Sequence, residues 1–569
     1  MHEAGSSTEF TWPGPARAPG ERWWARSLAA ACVLLAAYVG LSALCDPRGT
    51  LGTDTGGKLA TLREMDAHDT WRPDVGYWAA PIDPDGLAHP IFYTERFDEQ
   101  YVNVTTLPML VAAKPLYALG GVRAALALPM LGGIAVAFAG RALARRLGSR
   151  APWVAFWLLG LASPVVIYSL DLWEHTLGLA AMAWGVVALV DLADGRRAPL
   201  AAGLLAGAAF GGAATLRTEA LLYGAVLTAA VLVRVGRRSA RAAAAAGLGA
   251  LSALAAATLG NEMLERVLLG SPLRSGRAAG SATSAGGETS TRLAEGLRTT
   301  IGLNYADLAV DVLVGTLIVA ALAVAAALAA REARTGKPVA RRHLIELVAV
   351  AVVLYVVRFR TGLSFVSGML PATPVAVAGL MVGPRLRHAW LVVWALLCLP
   401  AVWALQYVGG AAPQWGGRYV LLSGWILGVA GIVALEVVAP FVRRAFVALA
   451  VGVTLYGGAF VVDRTHDGAR TFAAIASLDD DIVIARFGHV FREAGDFYTR
   501  ERRWLTAVDP AAVAKAAAVV DVAHPATLAV ITYPDDGAAE FRGYAMTSSE
   551  PLRFFSERLE VRHYERVER

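Results

Sequence analysis

The fold is decided by the apolar stretch SLAAACVLLAAYVGLSALC at residues 27–45 and the polar stretch DPRGTLGTDTGGK at residues 46–58 that follows it. The first stretch carries no charged residue and is long enough to cross a bilayer as a helix. Similar runs recur along the chain, at residues 27–45, 121–142, 151–169, 173–192, 198–215, 219–234, 242–262, 308–330, 343–358, 362–383, 388–407, 419–440 and 445–462. The sequence therefore predicts an α-helical polytopic membrane protein with about 13 transmembrane helices.

The composition agrees with this prediction. Of the 569 residues, 56% are hydrophobic and 17% are charged, whereas soluble proteins carry about 25% charged residues. The net charge of +6 does not indicate nucleic-acid binding, because the Lys and Arg residues lie mostly in short loops between apolar segments. The three cysteines lie in or beside apolar segments without metal-type spacing, and we interpret them as packing residues: Cys32, Cys45 and Cys398.

The distribution of basic residues predicts the orientation. With a cytoplasmic N-terminal tail at residues 1–26, the arginine-rich loops near residues 141–150, 234–241, 331–342 and 443–444 all fall inside, as the positive-inside rule requires. An odd number of spans then places the C-terminus outside. We expect an integral plasma-membrane protein whose C-terminal region is extracytoplasmic.

Three extracytoplasmic regions stand out by their length, and the first of them is too long for a simple connector. The first loop, 46–120, is rich in Trp and Tyr, and its apolar part around Pro108 and Pro115 is expected to form a pair of interfacial helices. The Gly- and Ser-rich loop 269–307 is interpreted as a flexible connector, with a substrate lid as the alternative. Residues 463–569 predict a small soluble α/β domain, with strands at DIVIARF, TLAVITY and LEVRHYERV and helices at EAGDFYTRERRWL and DPAAVAKAAAVV. The transmembrane domain would thus span residues 27–462.

Asp54 is the first candidate for chemistry. It follows the first span by nine residues, in a glycine-flanked segment in which we expect the backbone to bend. A carboxylate at this position would meet a substrate head group at the membrane surface. The alternative is a solvated loop acid.

The sequence SLDLWEHTLGL contains Asp171, Glu174 and His175 at i, i+3, i+4 spacing. On a helix these three side chains would project from one face, at the outer end of the fourth predicted span. Oxygen and imidazole groups suit Mg²⁺ or Mn²⁺, so we expect the cluster either to bind such a cation or to orient an acceptor hydroxyl. A network that only satisfies its own hydrogen bonds is the alternative.

Several arginines are expected at outer helix ends, where a guanidinium fork matches a phosphate. Anchoring of the helix ends at lipid head groups is the alternative. Including their neighbours and one histidine of the first loop, the candidate substrate-binding residues are Arg217, Glu219, Arg358, Arg360, Arg418, Tyr419 and His89.

These features resemble those of the GT-C superfamily of polytopic glycosyltransferases, which take sugars from polyprenyl-phosphate donors at the outer membrane face. The resemblance covers most of residues 27–462 and rests on Asp54, the acidic turn DLWEH, the turn TLRTEALL, the step Gly417-Arg418-Tyr419 and the soluble tail. It implies that Asp54 is the catalytic base. Many members have paired acids in the first loop, so the nearby aspartates stay open as partners or replacements: Asp46, Asp66 and Asp69. The turn DLWEH is not an Asp-x-Asp motif, which leaves metal dependence open.

The resemblance implies an inverting glycosyltransferase that uses a polyprenyl-phosphate sugar donor and an extracytoplasmic glycan, lipid or protein acceptor. One alternative is a lipid or sugar transporter or flippase, which would place ionisable residues in the middle of several spans. The other is a non-catalytic membrane scaffold. The charges concentrated at outer helix ends favour chemistry at the membrane surface.

Overall fold

The computed structural model describes residues 23–103, 106–271, 289–302, 308–360, 368–386, 388–405, 415–537, 541–554 and 557–567. Within these ranges the chain is mostly α-helical, with seven short strands. The helices of the apolar part are Trp23–Ala43, Leu107–Ala125, Ala127–Arg146, Pro152–Leu161, Pro164–Ser169, His175–Ala193, Pro199–Leu216, Glu219–Gly236, Ala240–Leu269, Leu308–Thr335, Arg341–Arg360, Met369–Ala372, Pro374–Val382, Ala389–Leu405, Leu421–Leu435 and Pro440–Ala476. The helices outside it are Thr53–Ala67, Thr289–Ile301, Val490–Glu493 and Pro510–Ala523.

The helical membrane architecture expected from the sequence is confirmed. Among the described residues, eight helices are long and apolar enough to cross a membrane, and three shorter apolar helices accompany them. Each of the thirteen predicted spans coincides with one helix or with two short consecutive helices. The chain is therefore a multi-pass membrane protein, and the number of thirteen crossings stays a prediction.

Two predicted spans are broken helices. The segment 151–169 divides at Ser163 and Pro164, where the serine hydroxyl caps the second helix. The segment 362–383 divides at Thr373 and Pro374, and its residues 361–367 lie outside the described part. Proline starts a helix readily but removes an N–H donor from the preceding turn, which explains both interruptions.

The first loop is ordered, but its local structure differs from the expectation. Residues Thr53–Ala67 form a helix, so the expected bend of the backbone around Asp54 is wrong. The strands β1 (Thr94–Phe97) and β2 (Gln100–Asn103) form an antiparallel pair. The helix Leu107–Ala125 passes through Pro115 and kinks at Gly120 and Gly121, where the latter has a φ of 61° that glycine tolerates. The kink therefore lies at the glycines and not at the prolines.

The C-terminal region contains the expected sheet. Strands β3 (Ile482–Ala485), β4 (Trp504–Thr506), β5 (Thr527–Thr532), β6 (Tyr544–Phe554) and β7 (Glu557–Arg566) are ordered β4-β3-β5-β7-β6. Strand β3 pairs in parallel with β4 and β5, whereas β7 pairs antiparallel with β5 and β6. The prediction of a helix over EAGDFYTRERRWL is wrong, because only short helical turns precede β4 there.

The first loop and the C-terminal region share one hydrophobic core. Val75, Tyr77 and Ile91 from the first loop pack with Phe491 and Trp504 from the C-terminal region. The helix Pro440–Ala476 leads directly into this core and continues past residue 462, where the soluble domain was expected to begin. This shared core holds the C-terminal region against the Thr53–Ala67 helix. The Gly- and Ser-rich part of the predicted connector, residues 276–290, lies mostly outside the described residues.

Candidate functional site

Asp54 occupies the first turn of the Thr53–Ala67 helix, between two arginines that are distant in sequence. Its Oδ1 atom lies 3.1 Å from Nη2 of Arg492, and its Oδ2 atom lies 3.4 Å from Nη1 of Arg418. The N-terminus of a helix also favours a negative charge at this place. The side chain of Asp54 remains 32% exposed, so a ligand can reach the carboxylate.

Glycines explain how the chain comes so close around this carboxylate. A Cβ atom on Gly56 would overlap the carbonyl oxygen of Arg492, and one on Gly57 would overlap the side chain of Asn103. Glycine is therefore needed at both positions for close packing and not for backbone bending. The Thr53–Ala67 helix thereby lies directly against the segment that carries Arg492.

The next residue, Thr55, connects this helix to the acidic turn. Its hydroxyl donates a hydrogen bond of 2.7 Å to Oδ2 of Asp171. Asp171 is buried, and burial raises the pKa of its carboxyl to about 6, although the Thr55 hydrogen bond and the nearby Lys58 ammonium act in the opposite direction. Asp171 therefore carries a proton more readily than an ordinary aspartate.

Glu174 is held between two cations. Nζ of Lys58 lies 2.8 Å from Oε2 of Glu174, and Nη1 of Arg217 lies 3.4 Å from Oε1. Burial alone would raise the pKa of Glu174, but Lys58 and Arg217 hold it below its usual value. Arg217 also donates from Nε to Glu219, at 2.9 Å. These four side chains form one buried, ion-paired network.

The predicted metal group Asp171, Glu174 and His175 is not assembled. Residues 170–173 are not helical and the helix begins only at His175, so the assumed i, i+3, i+4 face does not exist. The His175 ring is stacked on Tyr168 with centroids 4.6 Å apart. Within the described ranges, no three His, Cys, Asp or Glu side chains are grouped so that they could hold a metal ion. These residues do not fit a metal centre, because Lys58 and Arg217 already compensate Glu174.

Arg217 and Arg418 meet at Tyr419. Their guanidinium carbons lie 4.9 and 4.7 Å from the centroid of the tyrosine ring, within the range of a cation–π contact. Both arginines line one narrow pocket between polar and apolar side chains, and this pocket is closed to a ligand in the structure. Its lining consists of His175, Leu179, Met182, Arg217, Glu219, Arg418, Tyr419, Leu421 and Leu422.

Polar atoms in the wall of this pocket lack hydrogen-bond partners. Among the described residues, none bonds to Nη2 of Arg217, to Oε2 of Glu219 or to either ring nitrogen of His175. All three side chains are buried. Because buried polar groups without partners are costly, these atoms are suited to bind a polar ligand.

Two further predicted site residues do not join this group, and the side chain of a third lies outside the described part. Arg358 is paired with the buried Asp311, which ties the Arg341–Arg360 helix to the Leu308–Thr335 helix. Arg360 ends its helix, and its side chain lies outside the described part. His89 is buried in the first loop, where Nε2 lies 3.0 Å from the Gly76 oxygen and the Ile91 amide donates to Nδ1. Burial lowers the pKa of His89 to about 4, as expected for a neutral structural histidine.

The alternative acids of the first loop have other surroundings. Asp46 pairs with Arg48 at 3.3 Å, Asp66 is exposed, and Asp69 is fully exposed at 3.7 Å from Lys114. Sequence reasoning missed Thr55, Lys58 and Arg492. Lys58 was detectable, because a helix beginning at Thr53 places it four residues after Asp54 on the same face.

The comparisons with known proteins identify structures but no close sequence relative. No family model and no curated protein matches the chain. The crystal structure of ArnT from Cupriavidus metallidurans in the apo state is similar at 15% identity over 95% of this chain and 97% of that chain, with a TM-score of 0.46. The structure of the same protein bound to undecaprenyl phosphate is similar at 13% identity over 95% of this chain and 98% of that chain, with a TM-score of 0.42. The arabinofuranosyltransferase AftD from Mycobacteria gives 14% identity over 98% of this chain and 41% of that chain, with a TM-score of 0.43.

Proposed function

We propose that this protein is an inverting GT-C-type glycosyltransferase that transfers a sugar from a polyprenyl-phosphate donor to an extracytoplasmic acceptor. The observation that carries the proposal is the accessible carboxylate of Asp54 between Arg418 and Arg492, beside a pocket with polar and apolar walls. The carboxylate can act as a base, the arginines can bind a phosphate, and the apolar side chains can contact a lipid chain.

Asp54 acts as the general base. It accepts the proton of the acceptor hydroxyl while the hydroxyl oxygen forms a bond to the anomeric carbon of the donor sugar. The bond from that carbon to the phosphate oxygen breaks, and polyprenyl phosphate leaves with the electron pair. Attack opposite the leaving group inverts the anomeric configuration.

Arg418 and Arg217 stabilise the departing phosphate. Arg418 extends from the Asp54 contact to Tyr419, so its charge lies between the base and the pocket. The Nη2 atom of Arg217 in the pocket wall is available as a donor. Fixed cations placed where charge develops are an effective form of transition-state stabilisation.

The side chains that line the pocket suit a lipid-linked donor, for which the pocket must widen. Leu179 and Met182 belong to the His175–Ala193 helix and Leu421 and Leu422 to the Leu421–Leu435 helix, and these apolar side chains line the pocket together with the ionised groups. We infer that the prenyl chain follows these helices into the membrane while the phosphate meets the arginines. His175 and Glu219 then offer a hydrogen-bonding surface to sugar hydroxyls.

No step is assigned to a metal ion. Lys58 and Arg217 supply positive charge beside Glu174, at the place where Mg²⁺ or Mn²⁺ was expected. Their part is to hold the acidic turn in position against the Thr53–Ala67 helix. A reaction at the outer face requires the orientation inferred from the basic loops, with the N-terminus in the cytoplasm and residues 463–569 outside.

The transporter alternative is less well supported by the charged groups. Asp191, near the inner end of its helix, is paired with Arg146 and Arg197. Asp311 and Arg358 neutralise each other between two helices. Such fixed pairs stabilise helix packing, whereas transport requires groups that can change partners along a path. The scaffold alternative predicts that Asp54 can change without loss of function.

The test compares Asp54→Asn with the wild type in purified full-length protein reconstituted in lipid nanodiscs. The probes are synthetic undecaprenyl-phosphate pentoses and hexoses with a membrane glycan extract as acceptor, and the readout is released undecaprenyl phosphate. We expect Asp54→Asn to lower the rate about 10² to 10⁴-fold, as is typical for loss of a general base. The matched control is Asp66→Asn, on the same helix but exposed, which should keep the wild-type rate.

Two results would contradict the proposal. Transfer by Asp54→Asn at the wild-type rate would remove Asp54 from the chemistry, and failure of the wild type with every probe would remove the proposed donor class. The same assay with excess chelator tests the metal alternative. If the chelator abolishes activity and added Mg²⁺ or Mn²⁺ recovers it, the mechanism includes a cation.

A further inference from the structure

The C-terminal region contributes Arg492 directly to the candidate site. We propose that Arg492 is a positioning residue that holds the Asp54 carboxylate in its working orientation, so that the C-terminal domain completes the active site. This inference rests on the proposed function, because it assigns to Asp54 the role of base. It gives the C-terminal domain a task in the reaction itself, beyond any binding of acceptors.

The contacts of Arg492 constrain the carboxylate from one side. Its Nη2 atom faces Oδ1 of Asp54 at 3.1 Å, and its Nη1 atom donates to the hydroxyl of Thr53 at 3.3 Å. The guanidinium carbon lies 4.9 Å from the ring centroid of Tyr93. The side chain of Arg492 is only 5% exposed. Two hydrogen-bonding directions and a ring contact fix the plane of the guanidinium, and thereby the orientation of Asp54.

The backbone that carries Arg492 is itself held firmly. Phe491 is buried and stacked on Trp504, with centroids 4.6 Å apart. Glu493 pairs with Arg464 of the long Pro440–Ala476 helix at 2.8 Å. Gly56 allows the Thr53–Ala67 helix to touch the carbonyl of Arg492. A residue anchored on three sides in this way can position another side chain accurately.

Asp54 has charged neighbours from every element around it. Arg418 approaches from the segment before the Leu421–Leu435 helix, and Arg492, His489 and Glu493 approach from the C-terminal region. Asp171 and Glu174 of the acidic turn act on it through space. The acidic neighbours favour the protonated form of the Asp54 carboxyl, whereas Arg418 and Arg492 favour its ionised form. Removal of Arg492 should therefore raise the pKa of Asp54.

A second arginine provides a matched control, because it attaches the C-terminal region to the same helix without contacting Asp54. Arg500 also extends from the C-terminal region to the Thr53–Ala67 helix, where its Nε lies 2.6 Å from Oε2 of Glu64. It joins the same two parts of the molecule but has its ion pair with Glu64 and not with Asp54. If the arginines only attach the C-terminal domain, replacing either of them should have the same consequences.

The experiment measures the protonation of Asp54 without a substrate. Full-length protein in nanodiscs is treated with a carbodiimide, which reacts with protonated carboxyl groups, at a series of pH values, and labelling of Asp54 is quantified by peptide mass spectrometry. We expect Arg492→Gln to move the labelling midpoint upward by about one pH unit, since one of two adjacent cations is lost. Arg492→Lys keeps the charge and should shift less, and Arg500→Gln should leave the midpoint unchanged.

The rate of sugar transfer gives a second readout. Arg492→Gln should lower kcat while leaving KM nearly unchanged, and the acid limb of its pH profile should move with the labelling midpoint. A folded Arg492→Gln protein with the wild-type midpoint would overturn the proposal, as would an equal shift in Arg500→Gln. If Arg492→Gln does not fold, Arg492→Met keeps the packing on Tyr93 and is judged by the same criteria.

The two proposals can fail separately. A shifted midpoint in a protein without Asp54-dependent transfer would retain the Arg492 coupling and reject the proposed function. Asp54-dependent transfer together with an unshifted midpoint would retain the function and reject the positioning role.

Discussion

The buried pair of Lys58 and Glu174 allows a quantitative prediction about the stability of the site. The two charged atoms are 2.8 Å apart, and the side chains are 1% and 6% exposed. Removing one partner from such a pair costs about 3–5 kcal/mol, because an uncompensated charge stays buried. Replacing both partners with neutral side chains of similar size costs far less.

The structure predicts which single variant loses more stability. Glu174→Gln leaves the Lys58 ammonium buried without its carboxylate, so the free energy of unfolding should fall by an amount near the upper end of this range. Lys58→Met leaves Glu174 with Arg217 at 3.4 Å, so its loss should be smaller. The double variant should be more stable than Glu174→Gln. For a chain of this length that melts as one unit, about 1 kcal/mol corresponds to about 1 °C in Tm.

The assay is thermal unfolding of the full-length protein in nanodiscs, followed by tryptophan fluorescence at one fixed scan rate. Glu174→Gln should lower Tm by about 4 or 5 °C on this scale. The control is Glu346→Gln, which breaks the exposed pair with Arg342 at 2.6 Å and should change stability by less than about 1 kcal/mol. Additive losses in the double variant would refute the reasoning, because independent sites add and coupled sites do not.

Two further predictions concern single buried residues. Burial raises the pKa of Asp171 to about 6, so the folded wild type binds a proton that the unfolded chain releases near pH 4, and it loses stability as the pH rises from about 4 to 6. The side chain introduced by Asp171→Asn does not titrate, so this variant should not lose stability between about pH 4 and 6. The Tm of the variant minus that of the wild type should therefore increase across this range, by an amount equivalent to at most about 3 kcal/mol. A difference in Tm that stays constant between pH 4.5 and 7 would contradict this prediction. His89→Gln should lose about 1–3 kcal/mol of stability through its two backbone hydrogen bonds. Its KM for the undecaprenyl-phosphate probes should match that of the wild type, and a raised KM would return His89 to the substrate site.

Much of the architecture could be predicted because it depends on local properties of the chain. Apolar runs of bilayer length mark the helices, since an unpaired backbone group is too costly in lipid. Asp54 and Arg418 could be recognised as candidates from their positions near helix ends. The errors arose where local pattern was ambiguous. The glycines after Asp54 indicated a bend, yet they lie in a helix that needs them for close packing with Arg492.

The composition of the site was decided by contacts between distant parts of the chain. Arg418 and Asp54 are 364 residues apart in sequence, and Thr55 and Asp171 are 116 apart. The spacing of Asp171, Glu174 and His175 predicted a shared helix face, but Lys58 binds Glu174 from another helix and the turn before His175 is not helical. Arg492 directly precedes the segment EAGDFYTRERRWL, at a position for which the sequence predicted no element.

The sequence by itself determined that the chain is a multi-pass helical membrane protein with a small C-terminal sheet, and it placed an acid and several arginines at helix ends. The tertiary structure alone decided which of these charges meet, that Lys58 and Arg217 take the place expected for a metal ion beside Glu174, and that Arg492 faces Asp54. The physical reason is that helix formation in a membrane follows from hydrophobicity over about twenty residues. The pairing of buried charges depends on which helices pack together, and no short stretch of sequence contains that information.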